Sequence, residues 1–138
     1  MTLVSLDAAI SLLGRSERTL WRMVSNGAVH KEIHNGTAMF SLASLLPHFC
    51  IPFLGDDYET LTAASEGDAA AQTDVALILL SAGKATNAVY WLNLAVQQDF
   101  ADAMNLLGRC FIAGNGVDRD THAGIPWITR VSALEQNN

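Results

Sequence analysis

The chain has 138 residues, half of them are apolar, and its formal net charge is −6 at neutral pH. This size allows one ordinary domain or two small ones, and the longest apolar run, residues 75–80, is far shorter than the roughly 20 residues that span a bilayer. The N-terminus has no basic segment before its apolar residues. We therefore expect neither a secretory signal nor a membrane segment, and we predict a cytoplasmic protein.

Charge and cysteine content narrow the function classes further. Residues 1–55 carry a net charge of +1 and the remainder carries −7, so the acidity belongs to the second part of the chain and is typical of a soluble surface. The only cysteines, Cys50 and Cys110, have neither metal-type nor redox-type spacing. No nucleophile-base pair, metal cluster or phosphate-binding loop is recognisable, and we predict no enzymatic activity and no cofactor.

Two short helices are predicted near the N-terminus. Ser5 is a typical N-cap, and Gly14 supplies the left-handed residue that ends a helix. A second helix is predicted from the N-cap Ser16 to Asn26, followed by Gly27. The residues expected to face inward follow helical spacing and are Leu6, Ala9, Ile10 and Leu13 in the first helix and Leu20 and Val24 in the second.

A β-hairpin is predicted next. Asn35-Gly36 lies between two runs that alternate apolar and polar residues, which is a strong signal for a two-residue hairpin turn. A further helix with Ser41 as its N-cap follows and is interrupted at Pro47. The order of helix, turn, helix, hairpin and helix is that of a small winged helix-turn-helix domain, which we assign to residues 1–46.

Residues 6–46 resemble the excisionase and MerR-type DNA-binding domain. The residues that carry this resemblance are Ala8-Ala9, Leu13-Gly14, Ser16, Arg18-Thr19-Leu20, Trp21, Gly27 and a glycine turn before Phe40. In that family the second helix enters the major groove of DNA and the wing contacts the adjacent backbone. The resemblance implies these roles for residues 16–26 and 30–40, with double-stranded DNA as the partner.

The residue types of the second helix favour the same contact. Arg18 and Arg22 lie one turn apart, roughly opposite the apolar stripe, and arginine binds either guanine edges or phosphate. The predicted DNA-binding residues are Arg15, Ser16, Arg18, Thr19, Arg22, Lys31 and His34. The alternative is that these arginines form the solvated face of a surface helix, because the domain has few basic groups and also carries Glu17.

A metal site on the predicted wing is not expected. His30 and His34 lie on a predicted strand and turn, where a spacing of four residues does not give the shared helical face that a zinc site on a helix uses. A catalytic thiol at Cys50 is not expected either, since no basic partner is identified.

Residues 47–55 are predicted to be an apolar linker that contains two prolines. A free tether would not keep so many apolar side chains in water. We expect Phe49, Ile51, Phe53 and Leu54 to pack against the following helix, with a dimer contact through some of them as the alternative.

Residues 56–138 contain an internal repeat. Ala88-Val89-Tyr90-Trp91 is matched thirty-six residues later by Gly124-Ile125-Pro126-Trp127, a period typical of stacked helical hairpins. Helices are predicted over residues 57–66, 69–82, 85–98, 101–113 and 121–134, or about two and a half repeats. The predicted fold class is therefore mainly α, with a small winged helix-turn-helix and a short hairpin followed by a short α-solenoid.

Residues 101–133 are similar to a Sel-one-like repeat, a relative of the tetratricopeptide repeat. The resemblance rests on Ala103, Leu107-Gly108, Gly114, Gly116-Val117, Asp120 and Trp127. It implies a scaffold for protein contacts, in which Asp120 caps the last helix. Gly124 stands where the family usually has alanine, and Pro126 would lie in the first turn and shorten the helix if the helix began near Gly124.

The array ends on an apolar stripe made by Trp127, Ile128, Val131 and Leu134. Such arrays usually need about three repeats and a polar cap, so we expect a second copy or another protein to cover this end. The sequence thus favours a DNA-binding transcription regulator whose repeats mediate dimerisation or partner binding. The alternative is a protein-protein adaptor whose winged domain does not bind DNA.

Overall fold

A computed structural model of the protein describes residues 1–53 and 55–136, without the side chains of residues 121 and 132–136. The chain divides into two compact units, Met1–Glu66 and Gly67–Asn138. The described residues form eight α-helices and one three-stranded antiparallel sheet. The prediction of a mainly α protein with a short β-hairpin is therefore confirmed.

The first unit contains all three strands and the first four helices. Its elements are β1 Leu3–Val4, α1 Leu6–Leu13, α2 Glu17–Ser25, β2 Lys31–His34, β3 Thr37–Ser41, α3 Leu42–Leu45 and α4 Asp57–Ser65. The strand order in the sheet is β1-β3-β2. Strand β1 is not predicted from the sequence, because a strand of two residues is too short to show an alternating pattern.

The predicted helix caps of this unit are present. The Oγ atoms of Ser5, Ser16 and Ser41 each accept a hydrogen bond from the backbone N–H three residues later, and Gly14 ends α1 with φ of 64°. The short α3 passes into a 3₁₀ turn, Leu46–His48, that contains Pro47. Because caps depend on residues close in sequence, the pattern predicted them well.

The predicted inward faces of α1 and α2 are partly wrong. Leu6 and Ile10 are only half-buried, whereas Ala8 and Leu12 are buried together with Ala9 and Leu13. The physical reason is that α1 packs against α2, α3 and β3, so more than one narrow stripe is covered. In α2 the buried residues are Leu20 and Met23, and Val24 is half-buried.

The predicted hairpin joins β2 and β3. Asn35 and Gly36 have φ of 51° and 78°, which are the two left-handed residues of a type I′ turn. Ile33 pairs with Ala38, and His34 pairs with Thr37. The turn therefore fixes which side chains of β2 share a face of the sheet.

Residues 46–53 are attached to the first unit. The Cys50 N–H donates to the Leu12 carbonyl oxygen at 2.9 Å, and the Phe49 and Phe53 rings meet edge to face with centroids 5.3 Å apart. Leu54, which the sequence analysis grouped with them, lies outside the described residues. Helix α4, which we had grouped with the repeats, falls within the first compact unit.

The second unit consists of four helices that pack in sequence order. They are α5 Ala69–Ser81, α6 Ala85–Val96, α7 Ala101–Ala113 and α8 Thr121–Gln136, with α5 on α6, α6 on α7 and α7 on α8. The large side chains of its core include Leu79, Trp91, Leu92, Met104 and Leu107. None of the helices in the described part of the chain combines the length and apolarity needed to cross a bilayer.

Helix α8 is longer than a start near Gly124 would allow. It begins at Thr121, so Pro126 lies inside the helix, and the Asp120 carboxylate caps it by accepting the Ala123 N–H at 3.0 Å. Gly124 lies against α7, where an added Cβ would be only 2.5 Å from the Gly108 carbonyl oxygen. Glycine in place of alanine therefore permits a closer approach of the two helices.

Candidate nucleic-acid interface

The solvent-facing side of α2 carries arginine side chains. Leu20 and Met23 bury the opposite side of the helix, while Arg18 and Arg22, which are four residues apart, are exposed. Arg15 is exposed immediately before the helix. The three guanidinium groups therefore lie on or next to one short helix and are accessible to an anionic partner.

Ser16 and Thr19 are engaged in the N-terminal cap of α2. The Ser16 Oγ accepts the Thr19 N–H at 3.2 Å, and it lies 3.0 Å from the Thr19 Oγ1. Ser16 is exposed and Thr19 is half-buried. Their observed role is to fix the start of the helix that presents Arg18 and Arg22.

Trp21 connects α2 to the β-hairpin. Its ring packs edge to face on Phe40, with centroids 5.5 Å apart, and its Nε1 donates to the Glu17 carboxylate at 3.3 Å. The Lys31 Nζ lies 5.6 Å from the centroid of the Trp21 ring, within the range of a cation-π interaction. The prediction of Lys31 as a DNA contact did not include Trp21, the residue that holds the lysine beside α2.

His30, Glu32 and His34 form a hydrogen-bonded cluster along β2. The Nε2 atoms of His30 and His34 lie 3.2 and 3.4 Å from the two different carboxylate oxygens of Glu32. Hydrogen bonds from His34 and then His30 lower the pKa of Glu32. Alternate residues of a strand share one face, which is why both histidines reach the same carboxylate although they do not share a helical face.

The tip of the hairpin adds an apolar side chain that the sequence analysis did not select. Ile33 is 59% exposed and lies on the same face of β2 as Lys31, by strand alternation. The surface formed by α2 and the Lys31 side of β2 therefore combines cations with one exposed apolar group and the acid Glu17, whereas Glu32, His30 and His34 lie on the other side of the strand. We call this surface the α2-hairpin face.

A second surface feature is a groove between α5 and α7. It has a volume of about 380 Å³ and is lined by Ala70, Thr73, Asp74, Leu77, Phe100, Asp102, Asn105 and Leu106. Leu77 is 42% exposed there, and a neighbouring depression contains Arg109 and Cys110. Burial raises the pKa of the Cys110 thiol. This groove could not be predicted from the sequence, because its lining comes from α5 and α7, which are separated along the chain by α6.

The predicted partner-binding residues of the second unit lie on α8. Trp127 and Ile128 are half-buried, and both approach Gly108 of α7; Val131 is also half-buried. The side chain of Leu134 lies outside the described residues. Ile125 is the most exposed large apolar residue described on this helix, at 50%, and was not selected from the sequence.

The predicted partner-binding residues of the first unit, Phe49, Ile51 and Phe53, are all half-buried.

Among the described residues, no group of three or more His, Cys, Asp or Glu side chains is placed to hold a metal ion. No protein-family model, curated protein or solved structure matches this chain. The function must therefore be inferred from the residues themselves.

Proposed function

We propose that this protein is a cytoplasmic DNA-binding transcription regulator that uses the α2-hairpin face to bind duplex DNA. The observation that supports this proposal most is the exposure of Arg18 and Arg22 on α2 and of Arg15 just before it, beside a hairpin whose Lys31 is held by Trp21. The second, helical unit pairs two copies or binds a protein that controls the regulator.

The dimensions of α2 suit the major groove of DNA. An α-helix with its side chains is about 10–12 Å in diameter, and the major groove, about 12 Å wide, admits one. In this arrangement Arg18 and Arg22 reach base edges or phosphates, while Lys31 contacts the adjacent backbone. Ser16 keeps the first turn of the helix formed, so that the arginines are presented at a fixed spacing.

Basic charge in the first unit is confined to the part of the chain before α4. Residues 1–55 have a net charge of +1, but Asp56, Asp57, Glu59 and Glu66 bring residues 1–66 to −3. Since affinity for DNA depends strongly on the number of phosphate contacts, one copy has few such contacts. A dimer would double them, and it would also match two half-sites on DNA.

The decisive experiment is selection of bound sequences from a pool of random duplexes, followed by titration of the selected duplex with the full chain by fluorescence anisotropy. We expect salt-sensitive binding, and we expect Arg18→Ala with Arg22→Ala to reduce the affinity at least about tenfold and the salt slope by about 2. The control is Lys84→Ala with Arg109→Ala, which removes the same charge from exposed positions of the helical unit. If the wild type shows no salt-sensitive binding, the proposal fails.

A protein-protein adaptor is the second candidate, and the α5-α7 groove favours it. Leu77 is partly exposed in the groove and is flanked by Asp74 and Asp102, a mixture of apolar and acidic groups that suits a basic, amphipathic segment of another protein. An adaptor would bind such a partner and would bind no duplex in the selection. Leu77→Glu would then abolish partner binding, while Arg18→Ala with Arg22→Ala would not.

A further inference from the structure

We propose that the groove between α5 and α7 binds a short, extended segment of another protein, which places a basic side chain at one end of the groove, an apolar side chain in the middle and an acidic side chain at the other end. This inference rests on the proposed role of the helical unit in binding a protein that controls the regulator. It names the chemistry of that partner.

The groove runs along two helices of the second unit. Helix α6 packs against both α5 and α7, and short connections, residues 82–84 and 97–100, join the three helices, so α5 and α7 run in the same direction. The cavity of about 380 Å³ is followed by a smaller depression of about 230 Å³, and Leu106 lines both. The two depressions therefore form one elongated groove.

The middle of the groove is apolar. Leu77 is 42% exposed, and the half-buried Phe100 and Leu106 line the larger depression with it. Leu80 follows Leu77 by about one turn of α5 and lines the smaller depression. An apolar side chain of a ligand placed here removes the exposed surface of Leu77 from water, which favours binding.

The two ends of the groove carry opposite charges. Asp74 and Asp102 line the larger depression, Arg109 lines the smaller one, and all three residues are exposed. None of the three forms an ion pair with another described residue. Charge complementarity therefore favours a lysine or arginine of the ligand at the two aspartates and a carboxylate at Arg109.

The spacing of these charges sets the length of the segment. Asp102 and Arg109 are seven residues apart on α7, which is about two helical turns, or about 10 Å along the axis. An extended chain advances about 3.3 Å per residue, so the basic and acidic residues of the ligand are about three or four positions apart, with the apolar residue between them. Nucleic acid does not suit this groove, because Asp74 and Asp102 repel phosphate.

The test is selection of ligands for the full chain from a phage-displayed library of random peptides, followed by titration of the synthesised, fluorescently labelled peptides by anisotropy. We expect the enriched peptides to carry Lys or Arg about three or four positions from Asp or Glu, with an apolar residue between them. Asp74→Asn with Asp102→Asn should weaken the binding of such a peptide by about threefold to tenfold. Arg109→Gln should weaken it by about twofold to fivefold, but should not affect a peptide whose acidic residue is replaced by glutamine.

The matched control is Asp7→Asn with Asp118→Asn, which removes the same charge from exposed positions outside both depressions and should leave the peptide affinity unchanged. Circular dichroism checks that the variants are folded. If no peptide is enriched, or if the enriched peptides bind the wild type and the groove variants equally, the inference is overturned. Selection of bound duplexes tests the DNA-binding proposal separately, because neither result of the peptide selection changes the duplex affinity of α2.

Discussion

At the scale of single residues, Ser16 has an observed structural role and a proposed functional one. Its Oγ accepts the Thr19 N–H and so caps the helix that carries Arg18 and Arg22, while its exposed position next to Arg15 suits a phosphate contact. The two roles can be separated, since aspartate caps helices about as well as serine but repels phosphate.

We predict opposite patterns for two substitutions at this position. Ser16→Ala should lower the free energy of unfolding by about 1 kcal/mol through loss of the cap. Ser16→Asp should keep the stability of the wild type and weaken DNA binding by roughly threefold to tenfold, about the effect of one phosphate contact. Urea denaturation measures the free energy of unfolding, and fluorescence anisotropy measures the DNA affinity. Equal DNA affinity for Ser16→Asp and the wild type would remove Ser16 from the interface.

The control for the cap is Ser5→Ala. Ser5 caps α1 with the same geometry, since its Oγ accepts the Ala8 N–H at 3.2 Å, and it lies outside the proposed α2-hairpin face. Ser5→Ala should lower the free energy of unfolding by an amount similar to that for Ser16→Ala. It should leave the DNA affinity of the folded protein unchanged.

At the scale of elements, the contact between α7 and α8 depends on two glycines. An added Cβ at Gly124 would lie 2.5 Å from the Gly108 carbonyl oxygen and 2.7 Å from the Ile112 Cγ1. Because one of these atoms is backbone, the clash cannot be relieved by a side-chain rotation, and the helices would have to separate. Close packing therefore favours glycine here, although helix propensity favours alanine.

We predict that Gly124→Ala destabilises the helical unit by about 1 to 3 kcal/mol, the usual cost of overpacking, despite a propensity gain of about 1 kcal/mol. The free energy of unfolding in urea is the measurement. Thr129→Ala, at an exposed position of α8, is the control and should be neutral or slightly stabilising. An increase in stability for Gly124→Ala would show that the helices are not held at this distance.

Elements defined by local signals were predictable from the sequence, while features made by several elements were not. Ser16, Gly14 and the Asn35-Gly36 turn act on residues within a few positions, and the structure has them as predicted. The buried face of α1 differs because it depends on three other elements. Helical spacing places Arg18 and Arg22 on one side of α2, roughly opposite its apolar stripe. The contact of Lys31 with Trp21, and the α5-α7 groove, depend on distances that no spacing rule gives.

At the scale of the whole molecule, the proposed dimer requires an apolar surface that a second copy can cover. The sequence suggested the stripe Trp127, Ile128, Val131 and Leu134, but Trp127 and Ile128 approach Gly108 within the same chain. Ile125 is more exposed than either of these two residues, at 50%. A contact centred on Ile125 therefore fits a pairing through α8 better than one centred on Trp127 and Ile128.

We predict that the protein has twice its chain mass of 14.8 kDa in solution, and that Ile125→Glu converts it to a monomer because a carboxylate buried in an apolar contact is costly. Sedimentation velocity or light scattering measures the mass. Leu77→Glu is the matched control, since Leu77 is exposed to a similar degree in the α5-α7 groove, and this variant should remain a dimer.

The monomeric variant Ile125→Glu should also bind a selected two-site duplex more weakly, because two linked α2-hairpin faces bind with higher effective concentration than one. If Leu77→Glu dissociates the dimer and Ile125→Glu does not, the α5-α7 groove forms the interface. If the wild type is a monomer, the predicted dimer is wrong and a single copy of α2 binds the duplex.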